Sequence, residues 1–314
     1  MPHWRRTLYT IWITEFIAIL GFSFVAPFIP YYIQDLGVTD RNEVALWAGS
    51  ATSVMSFGAA IMAPVWGMLA DRHGRKMMVM RATFAGAVLM ALIGFVTNVQ
   101  QLVLLRCLVG VFTGTVAAAT TLVASAVPKK ESGAALGSLQ AAIFLGTSLG
   151  PFLGGIMGDN LGYRPSFWVT GALLFLSGVL VMLFVREDFH PAEEVARKRP
   201  GYGEAIKFLF ASGGALTAVF AARILLRTGT QITSPVLPLF VQSLLPTEAR
   251  VATMAGIISG AAAVGSAAGH PSSDAGATEP VTANCSSPAG WPRRSFTCRR
   301  PWRPIPNGWY SGNS

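Results

Sequence analysis

Charge is scarce in this chain. Only 12% of its 314 residues are Asp, Glu, Lys or Arg, about half the roughly 25% of a soluble domain, which excludes an ordinary water-soluble globule. Cysteine is nearly absent. Cys107 sits inside an apolar run while Cys285 and Cys298 lie near the C-terminal end, a spacing that offers neither a disulfide framework nor a metal site. His3, His73, His190 and His270 fall at the terminus, in connecting segments and in the tail, so the sequence assembles no catalytic constellation and implies no enzyme and no cofactor. It also lacks a G-x-x-x-x-G-K-[ST] loop, leaving ATP-driven chemistry without a phosphate cradle.

Apolar residues are abundant instead, at 52% of the chain, and they come in runs long enough to cross a bilayer. The net charge of +9 is held in the links between those runs and not along one helical face, which argues for membrane-flanking loops and against nucleic acid as a partner. The first run, 8–33, follows Trp4, Arg5 and Arg6. It is too long for a signal-peptide core and is read as a retained first helix. Further predicted helices cover 44–70, 77–96, 102–127, a glycine-rich run after Glu131, and 166–185. Basic links at 71–76 and 128–131 place those links and the N-terminus on the cytoplasmic side of a cell (plasma or inner) membrane.

The expected organisation is therefore an all-α polytopic membrane protein. A complete six-helix bundle occupies 1–186, a polar linker 187–207, and a partial second bundle of helices 7 and 8 covers 208–269. Residues 270–314 hold seven prolines and no apolar run, and are read as disordered or the product of an altered reading frame, against an evolved regulatory tail.

Four patterns carry more information than composition. Between helices 2 and 3 stand Gly67, Asp71, Arg72, Gly74, Arg75 and Lys76, two glycines for close approach and a tight reversal, and an acid that ends one helix beside the bases that open the next. Helix 1 carries Leu20, Gly21, Pro27 and Pro30; its prolines remove backbone donors and predict a bend. Helix 4 holds Arg106, Gly110, Thr113, Ala117 and Thr121 at spacings that put them on one face of a continuous helix. Helix 5 carries Gly146, Gly150, Pro151, Gly154 and Gly155, a bare stripe that admits another helix backbone, as any tightly packed membrane pair can use.

Taken in this order, the patterns resemble those of the major facilitator superfamily, and within it the twelve-helix drug:proton antiporters of multidrug efflux and antibiotic resistance. Val109 departs from the helix-4 pattern, where a glutamine is usual. The resemblance covers about residues 8–269 and implies a C-terminally truncated member, helices 9–12 having no counterpart. It implies secondary transport, with small amphipathic molecules exported in exchange for protons by alternating access; a non-transporting remnant is the alternative. It also implies that the 67–76 loop is a gating latch against helix 11, and that the helix-5 run is associated with export.

Intramembrane charges single out the remaining candidates, because each costs about 2.5–3.5 kcal/mol on insertion scales. Glu15 lies roughly 10 Å inside the cytoplasmic edge, counting about 1.5 Å per residue. It is either a proton or cation site, since a carboxyl changes its proton affinity between buried and cation-paired settings, or an interfacial acid that snorkels to water. Arg106 enters from the other side, too far from Glu15 for an ion pair. It either orders helix-1 carbonyls or a proton path, or makes a structural bond. Phe22, Thr113, Arg227 and Gln231 are candidates for lining a central cavity; for Phe22, with Phe24 and Trp12, a lipid-facing role is the alternative. The expected partners are the lipid bilayer, a small-molecule substrate and protons.

Overall fold

A computed structural model describes residues 3–185, 187, 214–244 and 250–268. The remaining stretches, including the linker apart from Glu187 and the whole of 270–314, lie outside the described residues. Every element described is helical: α1 (His3–Phe24), a 3-10 turn (Ala26–Phe28), α2 (Ile29–Asp35), α3 (Arg41–His73), α4 (Arg75–Ile93), α5 (Val99–Phe112), α6 (Thr115–Ala126), α7 (Ser132–Leu161), α8 (Tyr163–Phe184), α9 (Gly214–Leu244) and α10 (Val251–Ala268).

These fall into six spans long and apolar enough to cross a membrane: α1 with α2, α3, α4, α5 with α6, α7, and α8. Local chemistry sets several of their limits. The Asp40 carboxylate caps α3 by accepting from the backbone N–H of Asn42 at 2.7 Å and of Glu43 at 3.0 Å. Asn98 does the same for α5 through the Gln101 N–H. Gly74 ends α3 and opens α4 at φ +91, and Gly162 joins α7 to α8 at φ +86, a backbone region that other residues rarely enter.

Proline breaks the first span into α1, the 3-10 turn and α2, sharper than the bend predicted from Pro27 and Pro30. The fourth span corrects the sequence reading outright. It is not one helix, because Thr113 and Gly114 leave the helical path, with Gly114 at φ +125. Arg106 and Gly110 therefore belong to α5, Ala117 and Thr121 to α6, and the single polar face does not exist.

Within this bundle α1 packs along α7 and α8, α4 lies along α8, and α3 along α5. One core forms at the Asp35 end, where Phe28 stacks on Tyr163 and meets Phe167 edge-on, and Tyr32 donates its hydroxyl to the Ile93 carbonyl. A second forms at the His3 end from Ile11, Val79, Leu122, Leu139 and Val181. Apolar side chains also face outward, with Leu46, Phe57 and Ile61 of α3 about 70% exposed, as a hydrocarbon solvent favours. Helices α9 and α10 meet the first bundle at the Asp35 end. There Tyr31 donates to the Pro238 carbonyl at 2.6 Å, and the amides of Gln34 and Gln242 pair.

Candidate functional site

Glu15 is enclosed by protein, 1% exposed on α1. The snorkelling alternative does not describe it. The polar side chain beside it is Thr115, the first residue of α6, itself buried. Its other oxygen, Oε2, has no partner. The surrounding helix contacts are held by neighbours on the same helix: Trp12 donates to the Ser138 carbonyl at 2.9 Å, and Ser177 donates to the Thr14 carbonyl at 3.0 Å.

Arg106 is buried on α5, where it faces α3 and not α1. Its Nη1 points at the Met55 sulfur at 3.7 Å, while Nε and Nη2 have no partner. Nothing described joins it to a helix-1 carbonyl, and it forms no pair with Glu15. Gly110, one turn on, explains the approach: a methyl there would collide with the Met55 carbonyl, so the two helices touch backbone to backbone.

A third intramembrane charge escaped the sequence reading. Arg81 on α4 lies over the Trp66 ring, 3.4 Å from its centroid, and donates to the Phe112 carbonyl at 2.9 Å. Trp66 donates its indole N–H to the Val111 carbonyl at 2.7 Å. Both acceptors sit in the last turn of α5, where the break strips carbonyls of their helical donors. Arg81 and Trp66 thus supply what the break removes. The signal was there to be used: an arginine at the fifth position of the helix predicted over 77–96 is expensive without a partner.

In the loop after α3, Gly74 makes the reversal as expected. Gly67 does not serve close approach, since a methyl there would meet open space. Asp71, Arg72 and His73 complete α3, so Asp71 is not its last residue. Arg75 and Lys76 open α4, and their backbone amides are capped by Glu187, at 2.9 and 2.7 Å. Lys76 adds a bond from Nζ to the Met182 carbonyl at 3.0 Å. The end of the sixth span is thereby tied to this loop.

The helix-5 glycines divide between two partners. Gly146, Gly150 and Gly154 lie against the α1 backbone from Phe16 to Phe24. Gly155 abuts the Ala252 carbonyl of α10, and Gly256 and Gly260 return the contact against the carbonyls of Pro151 and Ser148. Pro151 leaves α7 continuous. Asp159 closes the same seam by accepting from the N–H groups of Ala252 and Thr253, at 3.2 and 2.7 Å. Phe22 and Thr113 converge on Gly86 of α4, whereas the side chains of Arg227 and Gln231 lie outside the described residues. Phe24 is buried and Trp12 is held by Ser138.

The family model described as Major Facilitator Superfamily matches residues 11–290. The chain belongs to the major facilitator superfamily. Major facilitator proteins are membrane transporters and not enzymes. Among curated relatives, "Multidrug resistance protein MdtG" of Proteus mirabilis is 36% identical over 255 residues, covering 81% of this chain and 63% of the relative. "Multi-drug resistance efflux pump PmrA" of Streptococcus pneumoniae is 38% identical over 247 residues, covering 78% and 61%. The chain thus spans about three fifths of the length of these superfamily relatives. Among solved structures, the nucleoside transporter NupG superposes with a TM-score of 0.63 at 13% identity, covering 82% of this chain and 64% of NupG. The human organic anion transporter MFSD10 gives 0.58 at 18%, covering 84% and 71%. At such identities these two establish the major facilitator fold alone.

Proposed function

We propose that this chain is a secondary transporter of a bacterial inner membrane that exports small amphipathic compounds, drugs among them, in exchange for protons by alternating access. Residues 1–186 form its first half and 208–269 open the second, with the N-terminus and the 67–76 loop in the cytoplasm, where the Arg and Lys excess favours them. The names of the efflux relatives support the substrate class. The observation that carries the proton coupling is Glu15, a carboxyl enclosed by the bundle with one oxygen unpartnered. A buried acid in a membrane helix carries an insertion cost that a purely structural residue would avoid. Arg106, with two open donor groups, serves the proton path from α5.

The test is dye extrusion into inverted membrane vesicles under an imposed pH gradient. Proton-dependent movement that is lost in Glu15→Gln supports the reading. Equal movement in that variant removes Glu15 from the mechanism, and no movement above empty vesicles marks the chain as a non-transporting remnant. A reporter fused ahead of residue 1 reads the orientation.

A further inference from the structure

At the break in the fourth span, neutral groups from two helices form a cation site, and a side chain of the protein itself fills it. The Trp66 indole of α3 is the floor, with the Arg81 guanidinium 3.4 Å from the ring centroid. The Phe112 ring stands 6.2 Å from that indole and tilted by 45°, a second aromatic wall. The Phe112 carbonyl accepts from Nη1 of Arg81 at 2.9 Å. Neither the rings nor the carbonyl carry a formal charge, yet all favour a cation. The rings do so through their quadrupole, and the carbonyl because it lies at the negative end of the α5 dipole.

We propose that Trp66, Phe112 and the last carbonyl of α5 form a binding subsite for the planar cationic head of an amphipathic substrate, with Arg81 as a tethered occupant that yields its place. The proposal rests on the reading of the chain as an exporter of amphipathic compounds, and it names the head group: a guanidinium or amidinium on an apolar body. Three observations converge on it. First, the site stands without Arg81. The indole is fixed by its own bond to the Val111 carbonyl at 2.7 Å, and the carbonyls at this end are left open because Thr113 and Gly114 depart from the helical path. Second, the hold on Arg81 is incomplete, since its Nε is buried and has no partner. Moving the guanidinium to water restores that donor. Third, the site opens outward. Phe112 is 38% exposed and Arg81 only half-buried. Arg81 also lies about 9 Å from the start of α4 by helical rise, within reach of a long stem that carries its charge to the helix end. The incoming head then supplies the donor that Arg81 withdraws, and one guanidinium replaces another with no change of charge at the site.

Binding of octylguanidinium to the full chain in detergent tests this without requiring transport. Octylurea, of similar shape but with an uncharged head, is the control. Arg81→Gln removes the tethered cation and is expected to tighten octylguanidinium binding about tenfold, the scale of one cation–π contact, leaving octylurea unchanged. Adding Trp66→Leu removes the ring and should return the affinity to the native level or below. Should either change leave no single folded species on elution, methionine at the same position carries the same expectation. Unchanged or weaker octylguanidinium binding in the folded Arg81 variant, equal tightening of octylurea, or tightening that survives loss of the Trp66 ring overturns the proposal. Tightening that needs both the charge and the ring upholds it even where vesicles show no transport, which would fault the functional reading alone.

Discussion

The Glu187 carboxylate accepts the backbone N–H of Lys76 at 2.7 Å, across 111 residues of chain. With the second bond, from Arg75, one acid just past α8 closes the N-terminus of α4. The loop whose basic residues dominate the sequence is thus held through its backbone, leaving the Arg72 side chain exposed.

Glu187→Ala is expected to loosen that loop. Loss of a capping carboxylate costs about 0.5–2 kcal/mol, and Glu187→Gln, which keeps an acceptor oxygen, should cost less. Thermal unfolding in detergent gives the size of the effect. Faster tryptic cleavage after Arg72 or Arg75, in the alanine variant above all, gives its location.

Gly154→Val should be among the most damaging single changes. A branched side chain there is driven into the Phe24 backbone, and overpacking of this kind costs typically 1–3 kcal/mol or more. Gly137→Ala is the contrast. It sits within α7 facing open space, so restricting the unfolded chain should stabilise by about 0.4–1 kcal/mol. Fluorescence-detected size-exclusion after a heating series ranks the two against the native chain.

Asp159→Ala removes the cap from α10 and leaves the first amides of that helix open. Hydrogen exchange should quicken at Ala252 and Thr253 and stay unchanged in α1. Uniform quickening across both helices would mean that the acid supports the whole bundle and not this one seam.

Arg81→Lys should destabilise by about 1–2 kcal/mol, since an ammonium cannot both lie flat on Trp66 and reach the Phe112 carbonyl. Trp66→Phe leaves the Val111 carbonyl without its donor, at a similar cost. Because both residues serve one break, the double variant should lose less than the two single losses combined; strict additivity would show two independent sites.

Much of this was legible beforehand. Span limits follow from apolar runs, and Gly74 and the Pro27–Pro30 interruption from residue type. The break at Gly114 was not, because 102–127 is long and predominantly apolar and hydrophobic periodicity carries no mark of a helix that stops and restarts in the same direction. Gly155 and Glu187 were opaque for another reason: their partners, Ala252 and the amides at 75–76, lie about 100 residues away in sequence, and nothing local announces them. Arg106 was expected near helix 1 and instead meets Met55 of α3, since spacing along one helix does not say which helix it faces.

Gly154 and Gly155 are adjacent yet serve different neighbours, one turned to α1 and the other to α10. On the second side the touching surfaces are glycine against carbonyl, with no large side chain keyed into a socket. Such a junction can come apart and re-form without any rotamer having to change, so its opening is limited by lost van der Waals contact and by the release of Asp159, and a single added methyl on either surface would act as a wedge.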